Sequence, residues 1–552
     1  MTKNSFRNHV FPIIILFFFC LVQFSSFFNS SWPVTHDGIN HAIRIREYFR
    51  EIKNGQFPVR WADTLDYQYG IPLFTYVYQG PYILSSIPMA LSFDEVTSYK
   101  IVLFFGYILG IFGIYAIYAK KNKFFACAAA ILFGLTPYLF LDMFVRGALG
   151  EIIAIGCMPW VIYAMENNKH SLAILSLWFI IISHNFLGVI FLCFLLMYLI
   201  WKSHITKALF RDIALSIGLS AFFIIPMMLE NNYIASGLNN GFSYEYQNHF
   251  LYPFQLLYGK WGYGYSIPGP GDGMSFQIGI TNLLIITGAF CSLFFIKNKK
   301  NILFLLVIIV CSLFLTLTYS KFIWDTVPIL QIIQFPWRLL FIPTLLCPLL
   351  FAEWILNIPK VTTTQKYIFT IVFITLAAIN TRNYRRATEY VSMETYQGKI
   401  IADEQKTTTV ARNEVSPIWS PVPKSQGNRV IDTKKGSTIP ITIKPESVTF
   451  TIDSENQQIT ILKNYFPGWK LTNITDSKNI PIQPDPDGNI TVSLPKGTYT
   501  YMYGQTAIER YANIISIGSF FIFLGILFRP FLKNIIAALM HPHARDSGRK
   551  KK

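Results

Sequence analysis

Long apolar runs, separated by short polar segments, recur along most of the chain. An α-helix needs about 20 apolar residues to cross the ~30 Å hydrocarbon core of a bilayer. The pattern therefore predicts a polytopic α-helical membrane protein with about twelve spans. The predicted spans are residues 11–28, 99–119, 124–141, 151–165, 171–184, 186–201, 207–228, 276–296, 301–319, 337–357, 366–380 and 511–531.

A different pattern appears before the last span. The short runs "SVTFTID", "QQITILKNYF" and "GTYTYMYG" alternate apolar and polar residues, and the turn sequences "PDPDGN" and "LPKG" separate some of them. Such alternation is typical of antiparallel strands. We therefore predict an extracytoplasmic β-sandwich domain at residues 381–508. It follows a multi-span domain at 1–380 and precedes the last span and basic tail at 509–552.

Composition and charge support this topology. Only 14% of the 552 residues are charged, against about 25% in soluble domains. The formal net charge is +17, and Lys and Arg concentrate in the segments that lie inside if the N-terminus is cytoplasmic. The charge thus predicts that both termini are cytoplasmic, and it gives no reason to expect nucleic acid as a partner.

The long predicted outer loop at residues 29–98 carries the first candidate site. Its Pro-broken piece "IPLFTYVYQGPYILSSIPMALSF" predicts short amphipathic helices along the outer interface. Just after the first span, "THDGINH" contains Asp37, which is suited to act as a general base or as a metal ligand. His36 and His41 are candidates to orient Asp37 or to share its metal. The alternative is that Asp37 only caps the helix that follows.

Further polar residues stand at the outer ends of predicted spans. Arg146 is a candidate phosphate ligand and Glu151 a candidate to orient a sugar or metal, with a plain ion pair as the alternative. His184 and Asn185 interrupt the apolar run 171–201, as expected beside a cavity, although a lone histidine is often structural.

Two arginines complete the set of candidates. Arg338 in "QFPWRLLF" is a second candidate phosphate ligand, unless it anchors the helix as a snorkelling arginine. Arg60, in the first outer loop, is a further candidate substrate ligand. Ionisable residues near a bilayer cost free energy. One topology places Asp37, Arg146, Glu151, His184 and Arg338 on the same face, which favours function over chance.

These residues support a resemblance. An acidic residue after the first span, a long outer loop, many spans and a terminal extracytoplasmic domain resemble the GT-C glycosyltransferases. The segments "HDGINHAIRIREYFREIKNGQFPVRW", "RGALGE", "QFPWRLLF" and "NYFPGWK" look more closely like bacterial multi-span proteins of the YfhO-like group. They also look like membrane proteins labelled as related to pyruvoyl-tetrahydropterin synthase, although nothing in this chain suggests a soluble pterin enzyme.

The resemblance implies an enzyme of the bacterial inner membrane with its active site facing outward. It would transfer a sugar from a polyprenyl-phosphate donor to an envelope glycan, lipid or protein, with inversion and with Asp37, at the position of the family's catalytic acidic residue, as the general base. Many metal-dependent members have paired acids here, whereas His36 precedes the single Asp37, so Mg or Mn is only an alternative. Trp469 is expected in the β-domain core rather than against a sugar. Two rival functions remain: a transporter of a lipid-linked intermediate and a non-catalytic assembly scaffold.

Overall fold

The computed structural model describes residues 3–202, 206–235, 246–331, 333–404, 415–420, 427, 429–444 and 447–540. Helices make up most of this part of the chain. They are α1 Lys3–Gln23, α2 Gly38–Lys53, α3 Leu73–Tyr76, α4 Gly80–Ala90, α5 Glu95–Tyr118, α6 Lys123–Gly134, α7 Pro137–Leu141, α8 Leu149–Glu166, α9 His170–Ser183, α10 Asn185–Trp201, α11 Lys207–Leu219, α12 Ala221–Leu229, α13 Pro253–Leu257, α14 Ile280–Ser292, α15 Lys300–Thr316, α16 Lys321–Thr326, α17 Pro328–Gln331, α18 Phe341–Asn357, α19 Thr363–Asn380, α20 Met393–Glu404 and α21 Ala507–Met540.

The apolar helices make this chain a helical membrane protein. Every predicted span falls on one helix or on a bent pair of helices. Within the described ranges, four helical segments are long and apolar enough to cross a bilayer, and two bent pairs bring the number to at most six. The other apolar helices have 10–17 residues, which is short for a ~30 Å core. The predicted number of twelve spans is therefore not confirmed.

The centre of the bundle depends on close contact between α5 and α8. A Cβ atom added to Gly156 would lie 2.2 Å from the carbonyl oxygen of Gly106. The two backbones can therefore approach this closely only because both residues lack side chains, as is common between membrane helices. This contact fixes the N-terminal end of α8, where Glu151 lies.

The first predicted outer loop forms short helices, as expected. Helix α2 packs against α4 and α5, and α4 also contacts α9. Tyr82 and Ser85 of α4 are fully buried. The loop is thus a packed layer over one end of the bundle, which we call the loop end.

The β-region consists of two antiparallel sheets and one small ribbon. One sheet has the order β10-β7-β3-β4 and the other has the order β5-β6-β11-β8-β9, while β1 pairs with β2. Alternate residues of both sheets are buried in one hydrophobic cluster, as in a sandwich. The strands are β1 Trp32–Pro33, β2 Tyr390–Val391, β3 Val430–Asp432, β4 Ser437–Thr438, β5 Ile441–Lys444, β6 Ser447–Ile452, β7 Gln457–Ile461, β8 Trp469–Asn473, β9 Asn479–Ile480, β10 Ile490–Leu494 and β11 Gly497–Tyr503.

The β-region docks onto the first loop through buried polar contacts. Lys463 Nζ donates to Asp63 Oδ1 at 2.7 Å, and its side chain is 1% exposed. Asn464 Nδ2 donates to Asp66 Oδ2 at 2.7 Å. Trp61 also stacks on Tyr503, with 5.5 Å between the ring centroids. The β-region and the first loop therefore form one layer at the loop end.

Candidate active site

The site is built where the first loop meets the break between α7 and α8. A π-helical turn, Asp142–Arg146, ends at Gly147, whose φ is +68°. The backbone N–H of Asp37 donates to the carbonyl of Arg146 at 2.8 Å. A Cβ atom on Gly147 would lie 2.4 Å from Thr35 Oγ1, so only glycine permits this approach. The turn therefore holds the segment that carries His36 and Asp37.

Behind this segment lies a buried cluster of charges. Arg146 Nη1 donates to the Asp142 carboxylate and to Glu151 Oε2, the latter at 2.8 Å. The Tyr138 hydroxyl donates to Glu151 Oε1 at 2.6 Å. The Arg146 guanidinium carbon lies 4.8 Å from the centre of the Trp337 ring. The ion pair left open by the sequence is therefore formed, and it includes a second carboxylate.

The residues of the broken helix border this cluster. His184 Nε2 lies 3.9 Å from Glu151 Oε2, and its ring stacks on Tyr78 with 5.7 Å between centroids. Asn185 Nδ2 lies 3.1 Å from the sulfur of Met227. Its buried Oδ1 has no hydrogen-bond partner within the described ranges. The predicted interruption at His184 thus faces the charged cluster.

Arg338 lies beside this cluster, because it follows Trp337, whose ring packs on Arg146. Its Nη1 donates to Gln334 Oε1 at 2.6 Å and to the carbonyl of Ile333 at 3.1 Å. Its Nε has no hydrogen-bond partner among the described residues. The side chain is half-buried, and its guanidinium carbon lies 6.0 Å from the centre of the Phe186 ring. Arg338 is therefore a partly available cation beside the site.

Asp37 does not act as a helix cap. It occupies the N-cap position of α2, but its side chain makes no capping hydrogen bond. Its backbone angles, φ −103° and ψ −9°, are helical, whereas a capping residue is usually extended. The side chain is half-buried. The capping alternative is therefore wrong, and the carboxylate is available to a ligand.

His36 links Asp37 to the segment between α13 and α14, which we call the second loop. Its Nε2 lies 2.8 Å from the carbonyl oxygen of Tyr263, and its ring stacks on Tyr265 with centroids 4.6 Å apart. Because a carbonyl only accepts, Nε2 carries the proton. Burial lowers the pKa of His36 below its usual range, so the ring is neutral at pH 7. His36 therefore fixes the second loop beside Asp37.

The other two predicted residues are buried, one beside the site and one away from it. His41 is 2% exposed; its backbone N–H donates to the Asp37 carbonyl at 3.0 Å, and its Nδ1 lies 3.0 Å from the Tyr82 hydroxyl. Its ring centroid lies 6.4 Å from that of Tyr78, the ring that stacks on His184. Burial also lowers the pKa of His41 well below its usual range. Arg60 is 1% exposed and donates to Asn513 Oδ1 at 3.0 Å, so only the expectation that Arg60 lines one site with Asp37 is corrected.

The divalent-cation alternative has a weak set of donors. Mg²⁺ and Mn²⁺ prefer several oxygen ligands. The proposed pair offers the Asp37 carboxylate and a buried histidine already engaged with Tyr82. No group of three or more His, Cys, Asp or Glu suited to a metal occurs among the described residues. These residues do not fit a Mg or Mn site, and the proposed reaction uses no metal.

Three residues of the cluster were absent from the sequence prediction. Asp142 is fully buried, and its Oδ2 has no hydrogen-bond partner within the part of the chain described. It falls one residue after the predicted end of a span, at 141. A carboxylate four residues before Arg146 in an apolar run was the available signal. Trp337 was noted beside Arg338 in "QFPWRLLF" but only as a candidate membrane-interface anchor, and nothing in the sequence distinguished Tyr138 from the many other aromatic residues.

The comparisons with known proteins give only distant likenesses. No family model matches the chain, and no curated protein matches it. Among solved structures, an oligosaccharyltransferase of Archaeoglobus fulgidus is 11% identical, with a TM-score of 0.43 over 75% of this chain and 62% of that one. The mycobacterial arabinofuranosyltransferase AftD is 10% identical, with a TM-score of 0.43 over 90% of this chain and 40% of that one.

The chain thus spans less than two thirds of the length of each of these two proteins. At this level of similarity, the chain's own residues must carry the functional conclusion.

Proposed function

We propose that this chain is a membrane glycosyltransferase. It moves a sugar from a polyprenyl-phosphate donor to a hydroxyl of an envelope glycan, lipid or protein at the outer membrane face. The observation that carries the proposal is the Asp37 carboxylate, which caps no helix although it occupies an N-cap position. Its backbone is fixed to Arg146, whose side chain lies in a buried charged cluster. A positioned carboxylate beside a fixed cation suits general-base catalysis with an anionic leaving group.

The proposed reaction breaks one bond and forms another at the anomeric carbon. The acceptor hydroxyl oxygen attacks from the face opposite the phosphate, and Asp37 takes its proton. The bond between the anomeric carbon and the phosphate oxygen breaks, and the polyprenyl phosphate leaves with the electron pair. The configuration at the anomeric carbon is therefore inverted.

Arg338 is the proposed ligand of the leaving phosphate. Its guanidinium is half-buried, and Nε has no hydrogen-bond partner within the described ranges. An arginine keeps its charge when partly buried and matches the geometry of phosphate oxygens. Charge that develops on the departing phosphate is therefore stabilised most by this residue.

Arg146, Asp142 and Glu151 act as positioning residues in this proposal. Arg146 is 6% exposed, and both of its carboxylate partners are 1% exposed or less. These buried side chains therefore act through the local structure and not by contact with the substrate. The Arg146 carbonyl accepts the N–H of Asp37, so the cluster sets where the base stands. The predicted catalytic role of Glu151 becomes an indirect one.

The first experiment identifies the donor and the product. A strain that lacks this chain is analysed by mass spectrometry of its surface glycans and of its lipid-linked sugars. The proposal expects one surface sugar to disappear and its polyprenyl-phosphate form to accumulate. The accumulated lipid is then given to the purified protein in nanodiscs, and NMR should show an inverted anomeric centre in the product.

Three outcomes contradict the proposal. A product with retained configuration would exclude direct displacement with Asp37 as the base. Accumulation of the lipid-linked sugar on the cytoplasmic face only would instead favour a transporter of that intermediate. A strain with unchanged sugars but misassembled envelope would favour the scaffold.

A further inference from the structure

A polar cavity lies at the opposite end of α2 from Asp37. It has a volume of about 200 Å³ and lies between the first loop, the β-region and the start of α21. One water molecule needs only about 10–15 Å³ on this scale, so the cavity has room for a ligand of several heavy atoms. Its polar and aromatic lining includes Glu51, Arg60, Asp63, Lys463, Trp469 and Gln505.

Four buried side chains that line this cavity have unsatisfied polar atoms. Within the described residues, Arg60 Nε and Nη1, Glu51 Oε1, Trp61 Nε1 and Trp469 Nε1 have no hydrogen-bond partner. Arg60 and Trp61 are 1%, Glu51 2% and Trp469 6% exposed. Arg60 Nε lies 3.7 Å from Glu509 Oε1, which is close enough for an ion pair but not for a hydrogen bond. Because buried polar groups are normally paired with protein or with ordered water, these donors and acceptors need a partner that the described residues do not supply.

The charges around the cavity balance one another. Lys463 pairs with Asp63 at 2.7 Å, and Arg60 pairs with Glu509. Burial, together with nearby Glu47 and Asp63, raises the pKa of Glu51 to about 9, so this group is uncharged at pH 7. The cavity therefore has no excess charge with which to hold a charged ligand.

Aromatic side chains add apolar surface to the cavity. Phe57 lines it and is 68% exposed. Trp61 and Trp469 also line it, but they are 1% and 6% exposed, and their rings stack on Tyr503 and Tyr501. The open ring face of Phe57 next to unsatisfied donors and acceptors matches a sugar, which has C–H faces and hydroxyl edges.

We propose that this cavity binds a neutral sugar unit of the acceptor glycan, away from the reacting end. The inference rests on the proposed function, because it assigns the acceptor to that enzyme. Asp37 and Glu51 are 14 residues apart, and a helix rises about 1.5 Å per residue, so the two sites are about 21 Å apart. The cavity therefore selects acceptors that are several units long and does not hold the hydroxyl that reacts.

The test measures binding of neutral oligosaccharides to the purified full-length protein. Neutral tetrasaccharides of glucose, galactose, mannose or N-acetylglucosamine are titrated in nanodiscs and followed by calorimetry. Ser447→Trp fills the cavity without removing a side-chain hydrogen bond, and Phe57→Ala removes the aromatic surface at the edge. Tyr319→Ala is the matched control, since Tyr319 is an aromatic residue 65% exposed that does not line the cavity.

The proposal expects at least one neutral tetrasaccharide to bind. Ser447→Trp should abolish this binding, Phe57→Ala should weaken it about 3- to 10-fold, and Tyr319→Ala should leave it unchanged. Melting temperatures of all three variants show whether they are folded. The proposal is overturned if no neutral tetrasaccharide binds at millimolar concentration. It is also overturned if only uronic-acid oligosaccharides bind, or if the folded cavity variants bind as well as the control.

Asp37→Asn separates this inference from the proposed function. If both are right, Asp37→Asn abolishes transfer but retains saccharide binding, whereas Ser447→Trp raises KM for long acceptors and leaves short acceptors unaffected. If the wild-type protein binds saccharides but has no transfer activity, the proposed function is contradicted, and the protein is a saccharide-binding membrane protein. If transfer occurs without binding at the cavity, only this inference is contradicted.

Discussion

Two aspartates of the first loop stand immediately before helices, and only one of them caps its helix. Asp94 precedes α5 with extended backbone angles, and its carboxylate accepts the backbone N–H of Thr97 at 2.7 Å. Asp37 precedes α2 with helical angles and makes no such bond. The two residues have the same type and the same position relative to a helix, but different surroundings.

The difference arises from tertiary contacts. The N–H groups of His36 and Asp37 donate to the carbonyls of Val145 and Arg146, at 3.0 and 2.8 Å. With these two contacts formed, the Asp37 backbone has helical angles. An aspartate side chain caps its own helix when its backbone is extended, so Asp37 does not cap α2. The carboxylate of Asp94 stabilises its own helix, whereas the carboxylate of Asp37 makes no capping bond and is the base in the proposed reaction.

The largest expected effect concerns the reaction rate. Asp37→Asn should lower kcat for sugar transfer by about 10²–10⁴-fold, because a general base contributes about that much. Asp94→Asn is the matched control and should change kcat less than twofold, since asparagine also caps helices. Purified variants in nanodiscs, supplied with the lipid-linked donor, provide the measurement. Equal rates for the two variants would remove the functional distinction between these aspartates.

The next effect concerns the cluster that holds Asp37 in place. Arg146→Met leaves the buried Asp142 and Glu151 carboxylates unpaired and should lower the free energy of unfolding by about 3–5 kcal/mol. Thermal unfolding in detergent checks this. Lys321→Met is the control, because the exposed Lys321–Asp325 pair should contribute less than about 1 kcal/mol. Similar melting temperatures for both variants would show that the cluster does not fix the Asp37 segment.

Arg338 tests the leaving-group half of the proposal. Arg338→Gln should reduce kcat/KM for the lipid-linked donor about 10- to 100-fold, because it removes a charged hydrogen-bond donor to phosphate. Lys260→Gln removes an exposed cation elsewhere at the loop end and should have no such effect. If the two variants have the same kcat/KM, Arg338 is only an anchor of its helix.

Glu51, at the other end of α2 from Asp37, should make stability depend on pH. Its pKa is raised to about 9 in the folded protein, against about 4.5 when unfolded. Between these values the folded state holds a proton that the unfolded state has lost. The free energy of unfolding should therefore fall as pH rises from about 5 to 9, by at most about 1.4 kcal/mol per pH unit.

Melting temperatures across this range give the slope for the wild-type protein and for Glu51→Gln. The slope should be smaller in Glu51→Gln, while Glu455→Gln, which changes an exposed glutamate, should retain it. A slope unchanged by Glu51→Gln would show that Glu51 does not titrate with folding.

The smallest expected effect is the difference in stability between alanine variants of the two aspartates. Asp94→Ala removes a helix cap and should lower the free energy of unfolding by about 1 kcal/mol. Asp37→Ala removes no capping bond, so its melting temperature should stay close to that of the wild type. A larger loss for Asp37→Ala than for Asp94→Ala would contradict the structural difference described above.

Local patterns predicted the elements of this fold better than their assembly. Apolar runs identified the helices, because the length and spacing of apolar residues within one segment already indicate a helix. The alternating runs at residues 447–461 and 497–503 likewise identified strands. The break between α7 and α8 falls between the predicted spans 124–141 and 151–165, whereas the π-helical form of the turn Asp142–Arg146 has no local sequence pattern that reveals it.

The site was only partly predictable, because contacts between distant segments of the chain bring its residues together. Topology alone brought Asp37, Arg146, Glu151, His184 and Arg338 to one end. Contacts in the structure connect the first four, and Arg338 follows Trp337, whose ring packs on Arg146. Arg60 was placed with them because it shares the same loop. Its partner Asn513 is 453 residues further along the chain, and no local pattern reveals a contact of that range.

The most direct test of the central claim compares the two aspartates in cells. The strain that lacks this chain is complemented with the wild type, with Asp37→Asn or with Asp94→Asn at equal protein levels, and its polyprenyl-linked sugars are measured by mass spectrometry. We predict that Asp37→Asn accumulates the same lipid-linked sugar as the empty strain, while wild type and Asp94→Asn do not. Full clearance of that lipid by Asp37→Asn would contradict the role of Asp37 as the catalytic base.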